Sequence, residues 1–250
     1  MASAVTAEIV IARRFNGPPA SGNGGYTCGR VAAFIEGPAR VFLRRPPPLE
    51  RPMRVEREAG RVLVMDGGEL VAEGGPAGMS GPELPHPVGL EAAVAAASEA
   101  ERGITSWAAR HPFPTCFVCG PQREPGDGLR LFAWPVQGLD VLATVWTPGP
   151  DLAADDGWVR PEFVWSALDC PSGAAAMRSF TEGAAVLGTM EAGMTGPVRS
   201  GAAHAVVAWR TGAEGRKILS ASAIFTSAGE LVAHANAVWV RLKTEVPPVG

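Results

Sequence analysis

Asp169 stands in a run of residues that otherwise belong inside a protein: Phe163, Val164, Ala167 and Leu168 come before it, and Ala174 to Met177 follow. A carboxylate carried into an apolar helix must be hydrogen-bonded or do chemical work, because burying an unpaired charge is strongly unfavourable. Two fates fit. The carboxylate activates or attacks a substrate, or it bonds to backbone freed by Pro171, as Asp often does near a helix break. A second feature is Asn23-Gly24-Gly25-Tyr26, at the start of a mostly buried helix. The first N–H groups of a helix lack partners within it and lie at the positive end of its dipole. Gly24, Gly25 and Tyr26 could therefore grip a carbonyl oxygen, with glycine allowing close approach; the same two glycines would equally serve as a tight turn.

The four cysteines are Cys28, Cys116, Cys119 and Cys170. Cys116-Phe117-Val118-Cys119 resembles half of a zinc knuckle, but Cys28 and Cys170 stand alone and there is no second Cys pair or His pair, so a fourth ligand would have to be His111 or a distant group. The expectation is no metal and no cofactor, with the thiols as small packing residues. A cysteine nucleophile at Cys28 or Cys170 would need His204 or His234 as its base, and both histidines fall on expected strands.

The elements that must position these residues come in two sets. Gly68-Glu69-Leu70-Val71-Ala72 returns as Gly229-Glu230-Leu231-Val232-Ala233, each time within alternating apolar residues, as if one unit had been used twice. The first set has a short strand over 7–15, a helix from Gly24 to Gly37-Pro38, and strands over 40–43, 53–58, 61–65 and 69–73. Residues 74–87 read as a Gly-, Pro- and Ser-rich linker, and 88–109 as an Ala-rich connecting helix. The second set alternates over 129–136 and 140–147. Pro161 and Glu162 then open a helix that Pro171 should kink, and strands follow over 184–195, 203–210, 217–226 and 231–242. The expected domains are an N-terminal half over 1–76, a linker over 77–111 and a C-terminal half over 112–250.

Composition narrows the class. The 31 glycines and 23 prolines favour sheets with tight connections over a helical bundle. The net charge of −3 comes with no basic stripe, since Arg44, Arg45, Arg51, Arg54 and Arg57 are interrupted by prolines and glutamates, so nucleic acid is not an expected partner. No apolar run approaches the roughly 20 residues of a membrane helix, and the N-terminus lacks a signal pattern. A cytoplasmic protein with reduced thiols and no membrane partner is expected.

One helix followed by an antiparallel meander, twice over, resembles the hotdog fold. The whole resembles the double-hotdog acyl-CoA thioesterases of the type II family: α+β, two antiparallel sheets each wrapped around a central helix, forming a pseudo-dimer. Asn23-Gly24-Gly25-Tyr26 is similar to the family's Gly-Gly helix start, and Ala167-Leu168-Asp169 to the segment carrying its catalytic aspartate. Gly188-Thr189-Met190-Glu191 is similar to the strand carrying its catalytic threonine. The family's glutamine falls on Ala237, and Asn236 can replace it only if a bulge shifts the register. Cys116-Phe117-Val118-Cys119-Gly120, with Gly128-Leu129-Arg130-Leu131, resembles the opening of small single-hotdog proteins. The resemblance implies an acyl-CoA or acyl-carrier thioester as substrate, hydrolysed in the groove between the central helices. Asp169 would be base or nucleophile, Thr189 its partner, Asn23 to Tyr26 the oxyanion and substrate-binding segment, and Trp165, one helical turn before Asp169, a pocket wall. Non-catalytic binding of the same ligands is the rival. A hotdog dehydratase would need a histidine at a central helix, and neither helix has one. Exposed sheet backs imply a homodimer.

Overall fold

The structure is a computed structural model that describes residues 7–78, 87–180 and 183–243, so part of the expected linker, residues 79–86, lies outside the described residues. In chain order the elements are β1 (Glu8–Val10), α1 (Gly24–Ala32), β2 (Ala39–Leu43), β3 (Pro52–Glu58), β4 (Arg61–Asp66) and β5 (Glu69–Pro76). They continue with α2 (Leu90–Ala108), β6 (Trp134–Pro135), β7 (Leu142–Trp146), α3 (Pro161–Met177), β8 (Ala185–Met194), β9 (His204–Glu214), β10 (Lys217–Phe225) and β11 (Leu231–Arg241).

The fold is α+β. All eleven strands of the described residues join one antiparallel sheet in the order β1-β3-β4-β5-β2-β8-β11-β10-β9-β7-β6. This corrects the expectation of two sheets: β2 pairs with β8, Val41 opposite Met190 and Phe42 opposite Thr189, so the ladder runs unbroken across the molecule. Outward from that seam the strands read β2-β5-β4-β3-β1 on one side and β8-β11-β10-β9-β7-β6 on the other. The two Gly-Glu-Leu-Val-Ala segments lie at β5 and β11, each the second strand out from the seam on its own side.

Helices α1 and α3 pack against each other and against the same face of the sheet. Their contact is close because α1 presents Gly25 and Gly29, one turn apart. A Cβ at Gly25 would sit 2.4 Å from Asp169 Cβ and 2.7 Å from the Trp165 carbonyl oxygen; one at Gly29 would sit 2.6 Å from Glu162 Cα. Only hydrogen fits where the two backbones meet. Helix α2 covers the opposite face over β6, β7 and β9, where Ala93 and Ala96 pack with Val207 and Ala223. No described helix is long and apolar enough to cross a membrane.

Two expected strands are cut short. The chain after β1 turns into a 3-10 turn at Arg13–Phe15, which places the Phe15 ring on Tyr26 with centroids 4.2 Å apart. Residues 129–136 keep strand pairing only at β6, because the Leu129 and Leu131 amides donate instead to the Phe117 and Val118 carbonyls at 2.8 and 2.9 Å.

Candidate active site

Asn23 is the N-cap of α1, and its Oδ1 accepts from the Tyr26 amide at 2.9 Å. That bond fixes the side chain so that Nδ2 donates to Asp169 Oδ2 at 2.9 Å. The Gly25 amide, at the positive end of α1, donates to the same oxygen at 3.0 Å. Asp169 thus sits at the crossing of α1 and α3, 1% exposed, and Oδ1 has no partner among the described residues. The carboxylate does not turn to the backbone beside Pro171. There Ser222 Oγ donates to the Leu168 carbonyl at 2.8 Å and Ser172 Oγ to the Asp169 carbonyl at 2.7 Å.

Burial raises the Asp169 pKa from 3.8 to about 7, outweighing the Gly25 and Asn23 donors that favour the charged form; negative charge at Cys116 adds to the rise. A carboxyl group so placed exchanges a proton near neutral pH, which is what a general base requires.

The carboxylate borders a cavity of about 1090 Å³. Its wall is largely apolar, with Met177 and Gly173 from α3, Leu187 from β8, Trp239 from β11, and Phe132 and Trp134. Four exposed arginines also line it: Arg44, Arg45, Arg110 and Arg178. Three of them pair with acids, Arg44 with Glu73, Arg45 with Glu69 and Arg178 with Asp140. Arg110 has no acidic partner among the described residues.

The expected site residues divide sharply. Asn23, Gly24 and Asp169 all border the cavity. Gly25 touches Asp169, yet its amide is taken by the carboxylate, which corrects its expected role as an oxyanion donor. Tyr26 is buried behind the helix start, stacked on Phe15, with its amide bound to Asn23 and its hydroxyl accepting from Arg30 at 3.2 Å; it does not border the cavity. Trp165 is likewise a core residue, its backbone under Gly25 and its Cβ under Gly29.

Thr189 is a further correction. Val41, Met190 and Ala237 form a row across β2, β8 and β11 that belongs to the core beneath the helices. Thr189 lies in the next row, with Phe42 and Val238, on the other face of the sheet, and makes no hydrogen bond to Asp169. A bulge at Gly188 brings Leu187 back to the helix side, opposite Trp239. Asn236 is exposed on that outer face as well, opposite Ala221 and Glu191, and the shift between Val238 and Trp239 comes too late along β11 to turn it inward.

What the sequence reading missed is a third thiol. Cys170, next to Asp169 on α3, meets Cys116 and Cys119, and the three sulfurs lie within 4.8 Å of one another on the cavity wall. Hydrogen bonds from the other two thiols and from backbone pull the Cys116 pKa well down, while Cys119 and Cys170 are pushed up. The Cys116-x-x-Cys119 spacing was the only signal; Cys170 joins it through the fold.

Solved structures similar along the whole chain include an acyl-CoA thioesterase II, TesB2, from Mycobacterium marinum, with a TM-score of 0.55 and 14% identity over 97% of this chain and 94% of that one. A tesB protein from Mycobacterium avium subsp. paratuberculosis aligns with a TM-score of 0.56 and 12% identity over 88% of this chain and 87% of that one. The chain has the thioesterase II fold. No family model and no curated protein matches the chain. At such identities the likeness covers backbone, so the chemistry of this thioesterase II fold has to be argued from its own side chains.

Proposed function

We propose that the chain is a double-hotdog pseudo-dimer, with halves over 1–76 and 112–250 joined by 77–111, that hydrolyses an acyl-CoA or related acyl thioester in the groove between α1 and α3. The observation that carries this reading is Asp169, a buried carboxylate with a pKa of about 7, tied to the start of the opposite helix and bordering a large apolar cavity. The matching strand order on the two sides of the seam supports the pseudo-dimer. The names of the thioesterase II structures sharing this fold support the substrate class.

In this reading the acyl chain lies along the apolar wall, and the arginines at the opening receive phosphates of the carrier. Ionised Asp169 removes a proton from water as the oxygen attacks the thioester carbon. The developing oxyanion needs a donor other than Gly25. The Gly24 amide is the first N–H of α1, borders the cavity and has no acceptor among the described residues, so it takes that role. Collapse of the adduct expels the thiolate, which recovers the proton from Asp169.

The test is thiol release from acyl-CoA esters of graded chain length. kcat/KM should rise with pH through an ionisation near 7, because the ionised carboxylate is the active form, and Asp169→Asn should lower it by about 10²- to 10⁴-fold. Undiminished turnover by that variant would refute the assignment. Binding without cleavage is the second reading, favoured by Ala237 standing where a glutamine is expected and by Thr189 facing away; acyl-CoA retained in native mass spectra with no thiol release would establish it. A cytoplasmic homodimer completes the proposal, and light scattering would measure the assembly.

A further inference from the structure

The proposed hydrolysis leaves the three thiols beside Asp169 unused. Cys116 and Cys119 come from one tight turn, closed by the Gly120 amide donating to the Cys116 carbonyl at 2.8 Å. Gly120 is required there, since a Cβ would meet the Cys116 oxygen at 2.4 Å and its nitrogen at 2.6 Å. Cys170 arrives from α3, its sulfur 3.7 Å from that of Cys116. Tetrahedral zinc holds thiolates at about 2.3 Å, which sets neighbouring sulfurs about 3.8 Å apart. The Cys116–Cys170 pair already has that spacing, and with all three sulfurs inside 4.8 Å the triangle needs to contract by only about an ångström.

The surroundings suit an anionic metal–thiolate group. Asn23 Nδ2 lies 3.8 Å from the sulfurs of both Cys116 and Cys170 and so presents N–H to them, at the positive end of α1. The Asp169 carboxylate accepts from the Cys170 thiol at 3.9 Å, but it is held by Asn23 and Gly25 and stays outside the sulfur triangle. His111 also borders the cavity, but its Nδ1 accepts from the Phe113 amide at 3.1 Å, an arrangement that puts the ring proton on Nε2 and removes that nitrogen's lone pair. All three cysteines border the cavity, which supplies both an entry path and room for a fourth ligand.

We propose that Cys116, Cys119 and Cys170 bind one zinc ion as thiolates, with the fourth coordination position open to the cavity and able to take a thiol. Binding releases to solvent the protons that the thiols still carry, so that all three bind as thiolates, and no electron changes hands. A soft thiolate ligand is what thioester cleavage releases next to this position. That part of the role rests on the function proposed above; metal binding does not.

Three measurements on the full-length chain test this. Elemental analysis of reduced, untagged protein should give one zinc per chain. Cys119→Ser and Cys170→Ser should each lose it, whereas Cys28→Ser, in a buried thiol outside the cluster, should keep it. Cobalt-loaded wild-type protein should show a thiolate-to-cobalt charge-transfer band and tetrahedral visible bands, both shifted by added coenzyme A thiol. Substoichiometric zinc without a cobalt–thiolate band overturns the site, as does a Cys116–Cys170 disulfide in the purified protein. A cobalt spectrum indifferent to thiol overturns the open position. The wild-type readings stand even if a serine variant misfolds, and none of them depends on whether the chain hydrolyses a thioester.

Discussion

Replacing Asp169 by Asn should change how the stability of this protein depends on pH, and the size of the change follows from the burial of that carboxyl group. In the unfolded chain it titrates near 3.8; in the fold, near 7. Between those values the native state holds a proton that the unfolded state has released. Raising the pH therefore favours unfolding by up to about 1.4 kcal/mol per pH unit. The contribution is fully present below the unfolded value and is lost as pH climbs through about 7. Over three units this amounts to about 4 kcal/mol, of which between 2 and 3 kcal/mol, roughly, falls between about pH 5 and pH 8.

Asparagine keeps an oxygen for the Gly25 and Asn23 donors but carries no ionisable proton. Its amide nitrogen replaces the unpartnered Oδ1 and adds a penalty of about 1–3 kcal/mol that does not vary with pH. The diagnostic is thus the slope and not the offset. Urea unfolding of both proteins across that range, taken as a difference so that other titrating groups cancel, should show the variant gaining about 2 to 3 kcal/mol relative to wild type as pH rises. Parallel stability profiles would mean that Asp169 is solvated or already ionised in the fold, and both the base assignment and the argument from burial would fail.

Asn23→Ala removes the N-cap of α1, costing about 1 kcal/mol, and one of the three donors to the Asp169 carboxylate, the others being the Gly25 amide and the Cys170 thiol. Losing a bond to the charged form moves the pKa further above 7, so the pH–rate profile should shift to the alkaline side; an unmoved profile would break the link between cap and base. Gly25→Ala forces a methyl group onto Asp169 Cβ and the Trp165 carbonyl, so a loss of about 1–3 kcal/mol or more is expected in thermal or urea melts. A neutral effect would show that α1 and α3 are not in such close contact. Thr189→Val should leave kcat/KM within about threefold of wild type, since the side chain lies on the far face of the sheet; a loss of the size expected for Asp169→Asn would show that Thr189 reaches the site.

Much of the architecture could be read from periodicity because those signals are local. The alternation in 53–58, 61–65 and 217–226 needs only a sheet with one covered face, and the repeated Gly-Glu-Leu-Val-Ala segments mark the start of β5 and β11. The site was legible where a single residue violated its surroundings, as Asp169 does in α3. It was illegible where the deciding fact is long-range. Thr189 sits in a motif of the right composition, but the bulge at Gly188 and the pairing with β2 determine which face it occupies, and neither is written in four residues. Trp165 is one turn from Asp169 and still belongs to the core, because Gly25 and Gly29 let α1 cover it. Cys170 looked solitary because its partners lie more than fifty positions away in sequence.

The same close approach that explains these departures also determines what the end of α1 can do. A bulky residue at Gly25 or Gly29 would hold the helices apart and let water reach Asp169, and its pKa would fall back towards that of an ordinary carboxylate. With glycine at both positions the carboxyl group is 1% exposed and spends the Gly25 amide on its own Oδ2. The helix end then has separate duties for successive amides: Gly25 steadies the charge, Tyr26 orients Asn23, and Gly24, without an acceptor among the described residues, is left for the substrate oxygen of the proposed reaction. The raised pKa of Asp169 and the Gly24 amide left without an acceptor, base and oxyanion donor in the proposed reaction, are thus two consequences of one packing arrangement at Gly25 and Gly29.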